Sequence, residues 1–191
     1  MFSPRAQALH ERWLSLRTEG GTMLPTWKTI RINNLANILS EIWVMDYVAP
    51  NAMIVRFVGS NAERICGNTT GEDFLNTYIA AENRAALLDI YKTVHEARCS
   101  AILTRMVSDP SEPYRAIIST VFPLAGDGPD SWSLIGISEI TNAAQASDQT
   151  GYDFEHTALA PPVYKDIGFG LPDQAHQCEN TNAYVKKREG Y

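Results

Sequence analysis

The stretch that most constrains the fold lies at residues 55–71 and reads VRFVGSNAERICGNTTG. A short apolar strand runs into Gly59, and a helix is predicted to begin directly after it. Ser60 and Glu63 form a capping box, in which two side chains bind the unpaired backbone groups at a helix start. A second turn follows and ends at Gly71. A strand that passes at once into a helix restricts the chain to folds that mix both element types.

Five strands and one long helix are predicted around this stretch. Apolar or alternating runs bounded by turn residues indicate the strands, and apolar residues at helical spacing indicate the helix. The strands are residues 41–48, 53–58, 101–107, 114–124 and 132–140, and the long helix is residues 80–98. Consecutive strands joined by short turns pair antiparallel. The sequence therefore predicts an α+β fold, with a five-stranded antiparallel sheet, helices on one face and an N-terminal helix that flanks the sheet.

The N-terminal helix is predicted to start at Ser3 and Pro4 and to stop at two glycines. Leu9, Trp13 and Leu16 fall on one face of this otherwise charged helix, so that this stripe must be buried. It either packs on the chain's own sheet, which is the simpler solution, or also forms a dimer contact. A homodimer through this helix is a prediction of the sequence.

The chain is predicted to have three segments. Residues 1–35 hold the amphipathic helix and a connector, residues 36–142 hold the α+β domain, and residues 143–191 form a polar tail. The tail has no apolar core of its own. We expect it to be ordered only where Phe154, Tyr164 or Phe169 occupies a groove.

Charge and cysteine content exclude several functions. The net charge of -6 and the pI near 5.2 give no basic field for a polyphosphate, so no nucleic-acid partner is predicted. No apolar run is long enough to span a bilayer and no signal peptide is recognisable, which predicts a cytoplasmic protein with no membrane partner. Cys66, Cys99 and Cys178 are isolated from one another, so we expect reduced thiols and no metal site.

Two stretches carry a resemblance to a known family. Residues 56–74 (RFVGSNAERICGNTTGEDF) and 121–137 (VFPLAGDGPDSWSLIGI), together with the helix bearing Trp13, resemble the PAS sensory domain. The similarity is to a bacterial branch of this family that is often found as small stand-alone proteins, mostly in alphaproteobacteria. The resemblance implies a non-catalytic sensory or regulatory protein of signal transduction, with a pocket between the sheet and the long helix. It also implies a small-molecule or protein ligand and a separate downstream signalling partner.

Four residues are predicted to contact a ligand: Arg56, Tyr78, Tyr91 and His95. Arg56 is a charge within an apolar strand, so it needs either an acidic side chain as a structural partner, which we favour, or a ligand carboxylate. Tyr78 and Tyr91 are candidate pocket-lining rings, although such rings are more often plain core. His95 lies on the long helix, where some PAS sensors hold haem iron, but a single histidine near a helix end is more often a surface residue.

The cofactor is unknown from the sequence, and two other functions stay open. A cysteine-adduct flavin site would need the family's asparagine-cysteine-arginine motif, which is missing from residues 72–78. One alternative is a small cone-shaped α+β enzyme of the isomerase or dehydratase type, with Asp46 and His95 as acid and base. The other is a protein-interaction module without a ligand. No catalytic motif is present, and a hairpin precedes the helices, which favours the PAS domain over the enzyme.

Overall fold

The structure, a computed structural model, describes residues 2–20, 23–30, 35–66, 69–109, 112–128, 131–142, 152–153, 162–172 and 186–187. The Cys66 side chain, Cys178 and Phe154 lie outside this described part, so their predicted roles stay predictions. Cys99 is a free, buried thiol, as expected of a small apolar residue, and burial raises its pKa to about 11.

The helices and strands follow the predicted order. They are α1 (Pro4–Gly20), β1 (Ile42–Val48), β2 (Ala52–Val58), α2 (Ser60–Cys66), α3 (Phe74–Tyr78), α4 (Ala81–Glu96), β3 (Ser100–Asp109), β4 (Glu112–Ala125), β5 (Trp132–Asn142), β6 (Tyr152–Asp153), β7 (Val163–Lys165) and β8 (Lys186–Lys187). A 3-10 helix, Leu39–Glu41, leads into β1. None of the helices in the described ranges has the length and apolar character to cross a membrane.

The main sheet has six antiparallel strands rather than the predicted five. Their order is β2-β1-β5-β4-β3-β7, and β6 pairs with β8 apart from it. The extra strand, β7, comes from the predicted tail and pairs with the first residues of β3. Its three residues stand among prolines and glycines, too short a run to be recognised as a strand in the sequence. The predicted segment boundaries, 1–35, 36–142 and 143–191, stay predictions.

Helices cover both faces of the sheet. Side chains alternate along each strand, so each strand contributes residues to the clusters on both faces. On one face, α1 packs on a cluster that includes Ile42, Val44, Phe122, Ile135 and Ile137. On the other face, α3 and α4 pack on a second cluster. Its sheet residues include Trp43, Met45, Val55, Val121 and Leu134. The central strands are therefore apolar on both faces, as a sheet covered on both sides requires.

The apolar stripe of α1 packs on the chain's own sheet. Leu9 and Trp13 are 1% and 0% exposed, and Leu16 is also buried. The indole Nε1 of Trp13 donates to the carbonyl of Pro123 in β4 at 2.8 Å. Because the stripe is buried within the chain, the predicted dimer contact through α1 would have to use the outer face of the helix. The dimer stays a prediction.

The junction between β2 and α2 depends on Gly59. Its carbonyl accepts from the amide of Glu63 at 2.8 Å, so Gly59 is the N-cap residue and Ser60 is the first helical residue. Ser60 and Glu63 therefore stand one position after the N-cap and N3 positions that the predicted capping box requires. A side chain at Gly59 would come within 2.6 Å of the Ser40 carbonyl carbon, and only glycine fits between β2 and the 3-10 helix.

Candidate functional site

A small cavity lies between the sheet and the short helices. Its volume is about 30 Å³, and residues of four strands and three helices surround it. The apolar wall residues include Met45 and Val55 from the sheet, Ala62 from α2, Phe74 from α3 and Tyr91 from α4. The family resemblance implies a pocket between the sheet and the long helix, and the long helix α4 contributes Tyr91 to this cavity, while the short helices α2 and α3 supply the other helical residues.

The helix α3 is fixed over the cavity by its own cap. The Asp73 carboxylate accepts from the amides of Leu75 and Asn76, which satisfies free donors at the helix start. The same carboxylate accepts from the amide of Met53 at 3.3 Å, so α3 is also tied to the edge strand β2. Phe74, the first residue of α3, is therefore held against the cavity.

Three side chains form a hydrogen-bonded chain along one wall of the cavity, and we name it the polar chain: Trp43, Ser138 and Ser119. The Trp43 indole donates to Ser138 Oγ at 2.8 Å, and Ser138 Oγ lies 2.8 Å from Ser119 Oγ. All three residues are buried. Ser119 stands directly opposite Ser138 in the β4–β5 pairing, a position where side chains meet.

The polar chain has one hydroxyl hydrogen more than it uses. The three side chains carry three donor hydrogens, one on the indole and one on each serine. The indole hydrogen and one serine hydrogen form the two hydrogen bonds. The second hydroxyl hydrogen has no acceptor within the chain of three side chains. A buried donor of this kind needs an acceptor, which a further protein oxygen, a water or a ligand atom can supply, since a lost hydrogen bond is costly in a buried wall.

Gly136 makes room for the indole of Trp43. The two residues are partners in the β1–β5 pairing, and a Cβ atom at Gly136 would come 2.5 Å from Trp43 Cε2. The ring lies across β5 because no side chain blocks it, and from there its Nε1 reaches Ser138, two residues further along β5. The glycine therefore shapes the cavity by setting the position of the Trp43 ring, which lines it.

Of the four predicted ligand residues, Tyr91 lines the cavity and is buried. Tyr78 stacks on Phe74 with ring centroids 6.0 Å apart, and its hydroxyl donates to the Glu72 carboxylate at 2.5 Å, so it lies outside the cavity wall. Ligand roles for both tyrosines stay predictions, but the geometry brings only Tyr91 to the cavity.

Arg56 lies on the opposite face of the sheet from the cavity. Its Nε donates to Asp46 Oδ2 at 2.6 Å, and its Nη2 lies 3.3 Å from Asp127 Oδ2. Ser133 donates to the other Asp46 oxygen at 2.6 Å. Burial alone would lower the pKa of Arg56, but the bond to Asp46 and the two nearby charges outweigh it and raise the pKa. Arg56 therefore has acidic side chains as partners, as the favoured interpretation expects, and its ligand role stays a prediction.

His95 lies on α4 beside the start of β5, away from the cavity wall. Its ring stacks on Trp132 with centroids 5.0 Å apart, and Trp132 stacks in turn on Tyr47 at 4.6 Å. Its Nδ1 is buried and has no hydrogen-bond partner among the described residues. Burial lowers the pKa of His95, so the neutral ring is favoured.

The cavity does not fit haem or flavin. Its volume of about 30 Å³ accommodates one or two waters, whereas pockets for larger ligands begin at about 300 Å³. His95 turns its ring onto Trp132 rather than into the cavity, and α3 has no cysteine. Within the described ranges, no group of three or more metal-binding side chains is present either.

The acid and base of the enzyme alternative are separated by the sheet. Asp46 pairs with Ser133 and Arg56 on the face that α1 covers. His95 stacks on Trp132 on the face that α4 covers. The pair proposed for the enzyme alternative therefore has no common space in which to meet a substrate.

The polar residues of the cavity were missed in the sequence. Ser119, Ser138 and Thr69 were not singled out, although the two serines interrupt apolar strands that are covered on both faces. That interruption is the available signal, because a hydroxyl in such a strand needs a partner. Their pairing required the β4–β5 register, which local patterns do not give.

A family model described as "PAS domain" matches residues 1–138. Among solved structures, the crystal structure of a Rhodobacter sphaeroides LOV protein is 19% identical, with a TM-score of 0.39, and the match covers 58% of this chain and 64% of that one. A structure described as RsLOV D109G, in its own numbering, is 12% identical, with a TM-score of 0.39 and 79% of each chain covered. The chain thus spans less than two thirds of the first of these two structures. No curated protein matches the chain.

Proposed function

This chain belongs to the PAS domain family, and from that premise we propose that it is a sensory domain of signal transduction that binds a compact, uncharged ligand in the cavity behind α3. The observation that carries the proposal is the polar chain of Trp43, Ser138 and Ser119, which has one hydroxyl hydrogen left over at the wall of a mainly apolar cavity.

The chemistry of the wall defines the ligand class. Among the residues that the structure describes, no charged side chain lines the cavity, so an ion would find no charged partner there and would enter at a high cost in free energy. An acceptor atom, such as a carbonyl oxygen or a ring nitrogen, fits the unused hydroxyl hydrogen. The apolar remainder of the ligand would lie against Phe74, Val55 and Tyr91. The volume limits the ligand to a few non-hydrogen atoms unless α3 moves.

Ligand binding can be passed on by α3 and α4. Phe74 and Tyr91 belong to α3 and α4, so a ligand that displaces either ring moves a helix. The predicted outputs, a homodimer rearrangement and a separate downstream signalling partner, are consistent with such a movement. The predicted cytoplasmic location and non-catalytic role belong to the same proposal.

The test uses the indole N–H of Trp43 as a reporter. Nuclear magnetic resonance of the nitrogen-labelled chain would follow this signal while imidazole, phenol and acetamide are added as neutral probes. We expect at least one probe to shift the signal saturably. Val55→Phe fills the cavity and should abolish the shift, whereas Val48→Phe, on the same hairpin but 47% exposed, should preserve it.

Carried-over ligands are detected by mass spectrometry of the denatured, purified chain. A compound released from the wild type and absent from Val55→Phe would support the cavity as its site. No released compound and no saturable shift with any probe would reject the ligand proposal. The small volume of the cavity would then favour the second candidate function, an interaction module that binds a protein partner.

A further inference from the structure

Residues 162–172 lie along the edge of the sheet, and we name this segment the latch. Their strand, β7, pairs antiparallel with β3 through Lys165 and Ser100, Tyr164 and Ala101, and Val163 and Ile102. The family match ends at residue 138, so the latch lies outside the part of the chain that the PAS family model matches.

The latch contacts the cores on both faces of the sheet. Tyr164 packs on the cluster under α4, and burial raises its pKa to about 12. Ile167 is 2% exposed and joins the cluster under α1. Among the described residues, the latch side chains that join the two apolar clusters are Tyr164, Ile167 and Phe169, whereas Val163 and Leu171 are 50% and 53% exposed.

A turn at Asp166 shapes the latch before it reaches α1. One carboxylate oxygen accepts from the amides of Gly168, Phe169 and Gly170, at 2.6, 3.1 and 3.0 Å. Both glycines have positive φ angles, which side-chain-bearing residues rarely adopt. The turn is therefore held by the latch's own atoms and does not depend on the sheet.

Two arginines of the domain contact the latch. Arg17, in the last turn of α1, donates to the carbonyl of Ile167 at 2.6 Å and lies 4.1 Å from the centre of the Phe169 ring. Arg98, just after α4, lies 5.5 Å from the same ring. Phe169 thus joins the ends of two helices by cation–π contacts.

We propose that the β3 edge, Arg17 and Arg98 form a docking site for an extended peptide, that the latch is its occupant in this structure, and that the latch detaches as a unit while the sheet stays folded. The anchors are few and lie at one edge, and the latch turn is built from local bonds, so detachment breaks no contact between the other strands. The inference does not depend on the ligand cavity.

Detachment has two consequences at the same place. It leaves the backbone groups of Ser100–Ile102 unpaired at a sheet edge, which is a template for strand addition. It also frees the ends of α1 and α4 from their shared contact with Phe169. A partner for the vacated site would supply an extended strand, then an acidic turn and an aromatic ring.

Native-state hydrogen exchange of the full chain tests the detachment. We expect the amides of β7 to exchange about tenfold faster or more than those of the central strands β4 and β5, because they open without global unfolding. Phe169→Ala should speed β7 exchange by a further tenfold or about that, since it removes the ring that both arginines contact. Leu171→Ala, on the exposed side of the latch, is the matched control and should leave exchange unchanged. Equal protection of β7 and the central strands would overturn the proposal.

A peptide experiment tests the docking site itself. Ile167→Asp places a charge in the buried anchor of the full chain and should release the latch. A fluorescently labelled peptide of residues 162–172 (PVYKDIGFGLP) should then bind this variant and not the wild type, and the same peptide with Phe169→Ala should bind at least about tenfold more weakly. Absence of peptide binding to a folded variant, or unfolding of the whole chain by Ile167→Asp, would contradict a detachable latch.

Discussion

Substitution of Ser138 by alanine should destabilise the chain more than the same substitution of Ser119. Ser138 is the middle of the polar chain, so Ser138→Ala leaves both the Trp43 donor and the Ser119 hydroxyl without their partner. Ser119→Ala removes one end and leaves the indole bond intact. A buried donor without an acceptor costs about 1–3 kcal/mol, and a simple lost hydrogen bond costs about 1 kcal/mol.

These magnitudes give the expected free energies of unfolding. Ser138→Ala should lower the free energy of unfolding by about 2–4 kcal/mol, and Ser119→Ala by about 1 kcal/mol. The double variant should be no less stable than Ser138→Ala, because the second substitution removes a hydroxyl that has already lost its partner. Urea unfolding followed by far-ultraviolet circular dichroism measures all four chains of this cycle.

The indole N–H signal of Trp43 gives an independent readout of the same geometry. It should move strongly in Ser138→Ala and weakly in Ser119→Ala, since only Ser138 accepts the indole hydrogen. An equal loss of stability from both single variants, with equal movement of the Trp43 signal, would refute the proposed order of the polar chain.

Three further predictions concern the sheet and α1. Gly136→Ala should destabilise the chain by about 1–3 kcal/mol in urea unfolding, because its Cβ would displace the Trp43 ring, whereas Gly128→Ala, which meets only an ordinary contact, should have little effect. Trp13→Phe should cost about 1–3 kcal/mol in the same assay, since it leaves a buried β4 carbonyl without its donor and removes part of a fully buried ring. Burial lowers the pKa of His10 in the folded chain, and the unfolded value is about 6.5. The unfolded state therefore binds more protons below about pH 6.5, and the free energy of unfolding should fall as the pH drops through that value towards the folded pKa. His10→Gln should reduce this pH dependence in unfolding curves measured from pH 7.5 to 5; an unchanged slope would argue against the contribution of His10.

The order of elements and the family could be predicted because they depend on local patterns. The strand that enters a helix at Gly59, the turn residues and the α1 stripe are all read from neighbours along the chain. The ion pair of Arg56 also followed from one physical rule, since a charge in a covered strand needs a partner. Its partner, Asp46, is close in sequence because the two strands form a hairpin.

The cavity and the sixth strand could not be predicted in the same way. Ser119 and Ser138 meet only when β4 and β5 pair in one particular register. Strand β7 is three residues long, and its pairing with β3 joins residues more than 60 positions apart. Tertiary contacts of this kind determine both features, and no local propensity encodes them.

The polar chain crosses three adjacent strands, from Trp43 on β1 to Ser138 on β5 and Ser119 on β4. Its hydrogens have two arrangements, since either serine can be the donor to the other. An acceptor placed beside Ser119 selects the arrangement in which Ser138 donates to Ser119, and one placed beside Ser138 selects the reverse. In the second arrangement Ser138 accepts two hydrogen bonds, and the Trp43 indole then shares its acceptor. The position of a ligand atom can thus set the direction of the Ser119–Ser138 hydrogen bond. This change affects the hydrogen bonding of the Trp43 indole, on the other side of β5, without any backbone displacement.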